Sequence, residues 1–260
     1  MAATEKVKDV VWRISVLLQD TATQFLRWPE KELIQWLNDG QASIVKYLPL
    51  TCAKILTVKL RTGTLQSIAS IATSDCKLED GSTPGAIIYG TQFLKPHRNM
   101  GTDGATPGRA IRMVEADVLD NQDRDWHTRT DSIVTAVVYD PRTPRNFYVT
   151  PGIKSTSTAW MQLSLAAKPT AIPNTGTPGS ELYAASGGST TTISIDDEFV
   201  PELVDYVVAR ANLKDSKHAD KAAAQFHTER FLSSLNAKAA VVTGTNPNLT
   251  VLPGLTPQAA

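Results

Sequence analysis

Apolar residues recur at helical spacing from the start of the chain. Val7, Val10, Val11, Ile14, Leu17 and Leu18 share one face, which predicts a helix over residues 4–18 with Thr4 as its N-cap. Asp20-Thr21-Ala22-Thr23 reads as a turn. A second helix opens at Trp28-Pro29-Glu30. Proline suits the first helical position because its missing N–H would have no partner there, and Glu30 and Glu32 suit the positive end of the helix dipole. Leu33, Ile34, Leu37, Ile44, Val45 and Leu48 form its apolar face. Gly40 weakens this helix and Pro49 stops it.

Beyond Cys52 the pattern changes to short apolar runs bounded by Gly, Pro and Asp turns, which predict strands. They lie at residues 55–60, 86–94, 132–139, 146–149 and 160–165, the last alternating with period two. Asp140-Pro141-Arg142-Thr143-Pro144-Arg145-Asn146 reads as a hairpin connection, and residues 114–121 as a short helix. Residues 73–85 and 168–192, rich in Pro, Gly, Ser and Thr, read as long loops.

Helical patterning returns at Asp196-Asp197-Glu198 with the stripe Leu203, Val204, Val207, Val208 and Ala211. A last helix, capped by Asp215 or Ser216 and running to about Leu235, carries the slim stripe Ala219, Ala222, Ala223, Phe226 and Phe231. After Asn236 the helical pattern fades. The expected class is therefore α+β: a four-helix bundle built from both ends, with a β-rich insertion between them and an extended C-terminal tail. The corresponding division is 1–51, first part of the bundle; 52–195, β-rich insertion; 196–236, second part of the bundle; and 237–260, tail.

Charge narrows the function. The 260 residues hold 26 Lys plus Arg against 26 Asp plus Glu, a formal net charge of zero. Tight binding of a polyanion needs a local excess of cations, and no run supplies one; even residues 98–112 are mostly Gly, Thr and Pro. A sequence-specific DNA binder is not indicated, whereas a protein that lets DNA slide past is compatible with neutrality. Residues 1–6 lack the basic start and apolar stretch of a secretory signal, and no segment reaches the ~20 apolar residues of a membrane span. Cys52 and Cys76 read as free thiols rather than a bridge.

Candidate chemistry is sparse. Gly101, Gly104 and Gly108 lack the Lys-Ser/Thr and helix of a phosphate loop, so they read as a turn-rich loop. Asp117, Asp120, Asp123, Asp125 and His127 could offer oxygen ligands to a hard cation, but in no calcium-loop order. The plainer reading is a solvated acidic turn anchored by Trp126. His97, His127, His218 and His227 include no pair at helical zinc-binding spacing, and no nucleophile elbow occurs. No catalytic residue, metal site or cofactor is expected. Trp12, Trp28 and Trp36 read as core or subunit-contact residues.

Three stretches together resemble the tailed-bacteriophage adaptor proteins that join a portal ring to the tail, also described as connector or head-completion proteins. They are Arg27-Trp28-Pro29-Glu30-Lys31-Glu32-Leu33-Ile34-Gln35-Trp36-Leu37-Asn38-Asp39-Gly40-Gln41; Arg98-Asn99-Met100-Gly101 with Pro107-Gly108-Arg109-Ala110-Ile111-Arg112, Val118-Leu119-Asp120 and Asp125-Trp126-His127; and Tyr139-Asp140-Pro141-Arg142-Thr143-Pro144 with Phe147-Tyr148-Val149-Thr150-Pro151. Their order and spacing, with the two closing helices, cover most of residues 7–235. The loops 73–85 and 170–192 are longer than usual for the family, and the tail is individual.

The resemblance implies a structural virion protein without catalysis, made in the host bacterial cytoplasm and placed in the neck. It implies a self-assembled ring of twelve with the portal protein above and tail nozzle, tube or fibre proteins below. Double-stranded DNA would pass through without specific binding, and no membrane is involved. It also implies a C-terminal extension that docks on the portal, here through Val241, Val242, Leu249, Val251, Leu252 and Leu255. The alternatives are a tail nozzle or tube subunit, which would be dominated by sheet, and a small metal- or ligand-binding globular protein using the acidic cluster.

Overall fold

A computed structural model describes residues 4–20, 27–173, 191–214 and 220–245, with side chains to residue 241 at the C-terminal end. The chain divides into two compact units, Met1–Leu48 with Pro169–Ala260, and Pro49–Lys168. The described residues form five α-helices: α1 (Val7–Leu17), α2 (Glu30–Tyr47), α3 (Ala116–Gln122), α4 (Val200–Leu213) and α5 (Lys221–Thr245). They also form nine strands: β1 (Ala53–Lys59), β2 (Gly63–Ser67), β3 (Cys76–Leu78), β4 (Gly90–Asn99), β5 (Arg112–Met113), β6 (Thr130–Asp131), β7 (Ala136–Tyr139), β8 (Asn146–Ile153) and β9 (Trp160–Ala167).

In the helical unit, α1 buries Val7, Val10, Val11 and Ile14, the face its periodicity predicts. Thr4 is not its N-cap: Lys6 occupies that position with no side-chain cap. The Thr4 amide instead donates to the Asp197 carboxylate at 2.9 and 3.1 Å, and its hydroxyl bonds the same group. An ionised acceptor outcompetes the helix end because charge-assisted bonds are the stronger ones. Short β-like pairing continues this tie, with the Val7 amide donating to the Thr191 carbonyl and the Ile193 amide to that of Glu5.

Gly40, a weak point of α2 by propensity, has a packing reason. A Cβ there would stand 2.7 Å from Leu203 Cδ1 and 3.0 Å from Tyr206 Cδ1, so its absence lets α2 lie close on α4. Helices α1, α2 and α5 each pack on α4. Buried positions run round α4 from Val200, Leu203 and Val207 to Glu202, Asp205 and Ala209, wider than a single stripe.

The expected four-helix bundle with a β insertion and an extended tail is therefore corrected. The fold is α+β, with five helices and two multi-stranded sheets that supply much of the core. The terminal helices gather on α4 as a hub rather than around a shared four-helix seam. The last helix also starts and ends later than expected. Asp220 caps it, accepting from the Ala222 and Ala223 amides at 2.9 and 3.0 Å, whereas Asp215 and Ser216 lie outside the described residues. It continues through 237–245, where alanines fix little side-chain entropy, so that stretch is helical rather than extended.

The sheet unit holds two sheets. One is antiparallel in the order β3-β1-β9-β4; the other runs β2-β8-β7-β5, with β6 beside β8. Strands β5 and β6 pair in parallel with β7 and β8. The expected hairpin joins β7 to β8. Leu56, Phe93, Met161, Leu163 and Leu165 of the first sheet are buried, as are Val137, Phe147, Val149 and Ile153 of the second. Phe93 stacks on Phe147 at 4.5 Å and tilts against Tyr139 at 5.3 Å, joining the two layers. Strand β4 tolerates Pro96 because it is an edge strand with register shifts. The run expected as strand at 86–94 begins pairing as a strand only at Gly90, and Ile88 makes one isolated bridge to Ile71. The loop expected at 73–85 contains β3. Cys52 and Cys76 are buried free thiols, and burial pushes the Cys76 thiol up to about 11 against the opposing charge of Lys54.

Candidate assembly surfaces

The acidic cluster serves its own loop. Asp120 accepts from the indole N–H of buried Trp126 at 2.8 Å, and Asp123 pairs with Arg129 at 2.8 Å. Trp126 stacks on His127 at 3.6 Å and meets Tyr148 edge-on. Among the described residues, no group of three or more His, Cys, Asp or Glu is placed to hold a metal ion. The glycine loop is likewise a turn. Gly101 and Gly104 have φ of +65° and +69°, and the Asp103 carboxylate accepts from the Ala105 and Thr106 amides. Those bonds lower the Asp103 pKa.

The histidines scatter. His97 shares a 2.6 Å hydrogen bond with Ser164, and His227 Nδ1 meets Asp205 at 2.9 Å, whereas His218 lies outside the described residues. Asp205 also accepts from Arg230 Nε at 2.6 Å, and Lys238 lies 3.0 Å from Glu202. Both carboxylates are almost fully buried, so polar pairs as well as Ala224, Phe231 and Leu235 hold α5 to α4. A hydrophobic stripe alone under-reports this helix, because the buried carboxylates Glu202 and Asp205 hold it as well.

The helical unit exposes an apolar surface. Trp12, Val16 and Leu17 of α1 and Val200, Pro201 and Val204 of α4 line a groove of about 430 Å³, with Arg13 and Arg230 at its rim. Trp12 is 47% exposed, whereas Trp28 is buried and donates its indole N–H to the Ala211 carbonyl. Trp36 is half-buried. Of the residues expected to meet a portal, Val241 stands 62% exposed near the end of α5 and Val242 belongs to the same helix. Leu249, Val251, Leu252 and Leu255 lie outside the described residues.

The sheet unit offers a second kind of surface. Strands β1, β3, β4 and β9 carry Lys59, Lys77, Lys95, Arg98 and His97, with Lys54 on the opposite parity of β1, and not one acid. Linear reading misses this concentration because the four strands are separated by up to 60 residues or more of other chain and meet only through pairing. Among the described residues, no helix is long and apolar enough to cross a membrane.

No curated protein matches the chain in sequence. A family model does: that described as SU10 adaptor protein matches residues 6–250. The matched span takes in every described helix and strand, covers all of the sheet unit and most of the helical unit, and includes all three motif stretches. This match shows the family: the chain belongs to the SU10 adaptor protein family of phage head-to-tail adaptors, which are structural proteins.

Proposed function

We propose that this protein seats below the portal as a head-to-tail adaptor ring, binding portal above and tail proteins below while DNA passes through. The family match over residues 6–250 carries this reading. The exposed apolar groove of α1 and α4 supports it, since such patches mark contact surfaces rather than solvent-facing ones. A ring of twelve closes through heterologous contacts, each of which is modest because the ring is multivalent. The C-terminal segment from Val241 onward, with Val242, Leu249, Val251, Leu252 and Leu255, docks on the portal in this proposal. The terminal helices disfavour the sheet-dominated nozzle alternative.

The test is mass by light scattering behind a sizing column, for the protein alone and mixed with its cognate portal ring. A portal carrying about one copy per portal subunit is the expected result; a chain that ignores the portal at several salt concentrations refutes it. A variant ending at residue 240 that still binds portal normally would remove the tail from the interface.

A further inference from the structure

We propose that the outer face of the β3-β1-β9-β4 sheet is a sequence-independent contact surface for the sugar-phosphate backbone of double-stranded DNA. The inference rests on the adaptor reading above and says which face meets the DNA.

Pairing fixes which side chains share that face. The inner face is the one bearing Leu56, Val58, Met161, Leu163 and Leu165, buried against the second sheet's layer. Alternation then sends Lys59 and Thr57 of β1, and Trp160, Gln162 and Ser164 of β9, to the outer side, where Thr57 and Trp160 are themselves buried, Trp160 beneath the turn at Gly104. Register places Lys77 opposite Thr57, Lys95 opposite Ser164 and Arg98 opposite Gln162, so those cations stand on the same side. The register shift after Pro96 brings His97 there too, where it bonds Ser164.

Lys59, Lys95 and Arg98 are exposed. Among the described residues none of the three forms an ion pair, although Arg13, Arg129, Arg230, Lys214 and Lys238 all do. Lys77 is half-buried, donating to the Asp103 carbonyl across the Trp160 ring. Glu79, just past β3, is the acid whose field reaches His97. Arg109 and Arg112 extend the cationic edge, because the chain at 109–111 pairs back onto 97–99. The four strands carry no acid, so Lys59, Lys95 and Arg98, bordered by Glu79 and Asp103 but in no ion pair among the described residues, leave a net cationic face whose complement is a polyanion.

The spacing suits a duplex. Strands stand about 4.8 Å apart, so Lys77 at one edge and Lys95 and Arg98 at the other are separated by about 14 Å. That approaches the ~12 Å width of the major groove of B-DNA. Cations can then meet phosphates on both sides of one groove, with the neutral hydrogen-bonding groups of Gln162 and Ser164 between them. Contacts of this kind hold DNA without reading it and let it slide, as passage requires.

The experiment measures fluorescence anisotropy of a labelled duplex of unrelated sequence against the full-length protein over a salt series. Wild-type protein binds at low salt and releases the duplex as salt rises. Lys95→Glu with Arg98→Glu weakens binding at least about tenfold and lowers the salt slope by about two. Lys46→Glu with Lys221→Glu, on the helical unit, leaves it unchanged. Lys95→Gln with Arg98→Gln gives a smaller loss in the same direction, and unchanged melting temperatures certify folding. No binding by wild type at low salt, equal loss in the helical-unit variant, or stronger binding to polyglutamate than to the duplex overturns the inference. Portal association of the same proteins separates the two readings: portal binding without DNA binding overturns this face alone, and failure to bind portal overturns the adaptor reading itself.

Discussion

The seam between α4 and α5 makes the sharpest quantitative test. Asp205 is 2% exposed and accepts from two cation-capable groups, His227 Nδ1 at 2.9 Å and Arg230 Nε at 2.6 Å. Asp205→Ala removes both bonds and leaves the half-buried imidazole facing a void. Breaking a buried charged pair costs about 3–5 kcal/mol. The Arg230 side chain is 52% exposed and recovers water when released, so the lower end applies, about 3 kcal/mol. That corresponds to roughly a 150-fold change in the folded-to-unfolded ratio, and to a melting point lower by about 6–12 °C for a chain of this size. Urea titration followed by far-UV circular dichroism reads it directly, with helical signal lost first. Arg230→Ala costs about 1 kcal/mol, because its own charge is largely solvated. A loss below about 1 kcal/mol for Asp205→Ala, or equal losses for the two variants, would show that apolar contacts of Ala224, Phe231 and Leu235 hold α5 by themselves.

Further outcomes follow from the sheet unit. Leu163→Ala, at a fully buried inner-face position, costs about 2–5 kcal/mol in denaturant midpoint experiments, through lost burial and the cavity left behind. Gly104→Ala combines a left-handed backbone at φ +69° with a Cβ 2.8 Å from the Trp160 ring, so it destabilises by about 2–3 kcal/mol and perturbs the near-UV dichroism of tryptophan; an unchanged spectrum contradicts it. His97 has its pKa lowered below 6.5 by burial first and then by Lys95 and Arg98, against the pull of Glu79. The unfolded chain therefore binds this proton more readily, and stability falls as pH drops below about 6.5 and is level above it. His97→Gln flattens that part of the profile, and an unaltered profile refutes the assignment. Calcium, magnesium or zinc leaves the melting temperature unchanged, since Asp120 and Asp123 already serve Trp126 and Arg129; a rise with any of them revives the ligand-binding alternative.

Local pattern determined a good deal about this protein. The 3.6-residue spacing of Val7, Val10, Val11 and Ile14, and that of Leu33, Ile34, Leu37 and Ile44, predicts the buried faces of α1 and α2 because a helix buries whatever recurs at its own period. Period-two alternation did the same for β9, and the Asp140–Asn146 connection for the β7–β8 hairpin. The three motif stretches carried the family resemblance, which the match over residues 6–250 bears out. Short strands such as β3 and β5 were not legible, since two or three residues hold no period and exist only because a neighbour offers partners. The end of α5 was misread because beyond Leu235 it is held by the Glu202–Lys238 pair and carried by alanines, which no hydrophobic pattern records. The capping role of Thr4 was lost to Asp197, 193 residues away, because a distant carboxylate made the better bond. The cationic sheet face belongs to the same class. Its residues are scattered through a chain of zero net charge, and antiparallel pairing alone decides that Lys59, Lys77, Lys95 and Arg98 stand on one side with no acid among them. Sequence sets what each segment will bury; the partners that complete a bond, a sheet or a charged face come from far along the chain, so only the tertiary structure decides them.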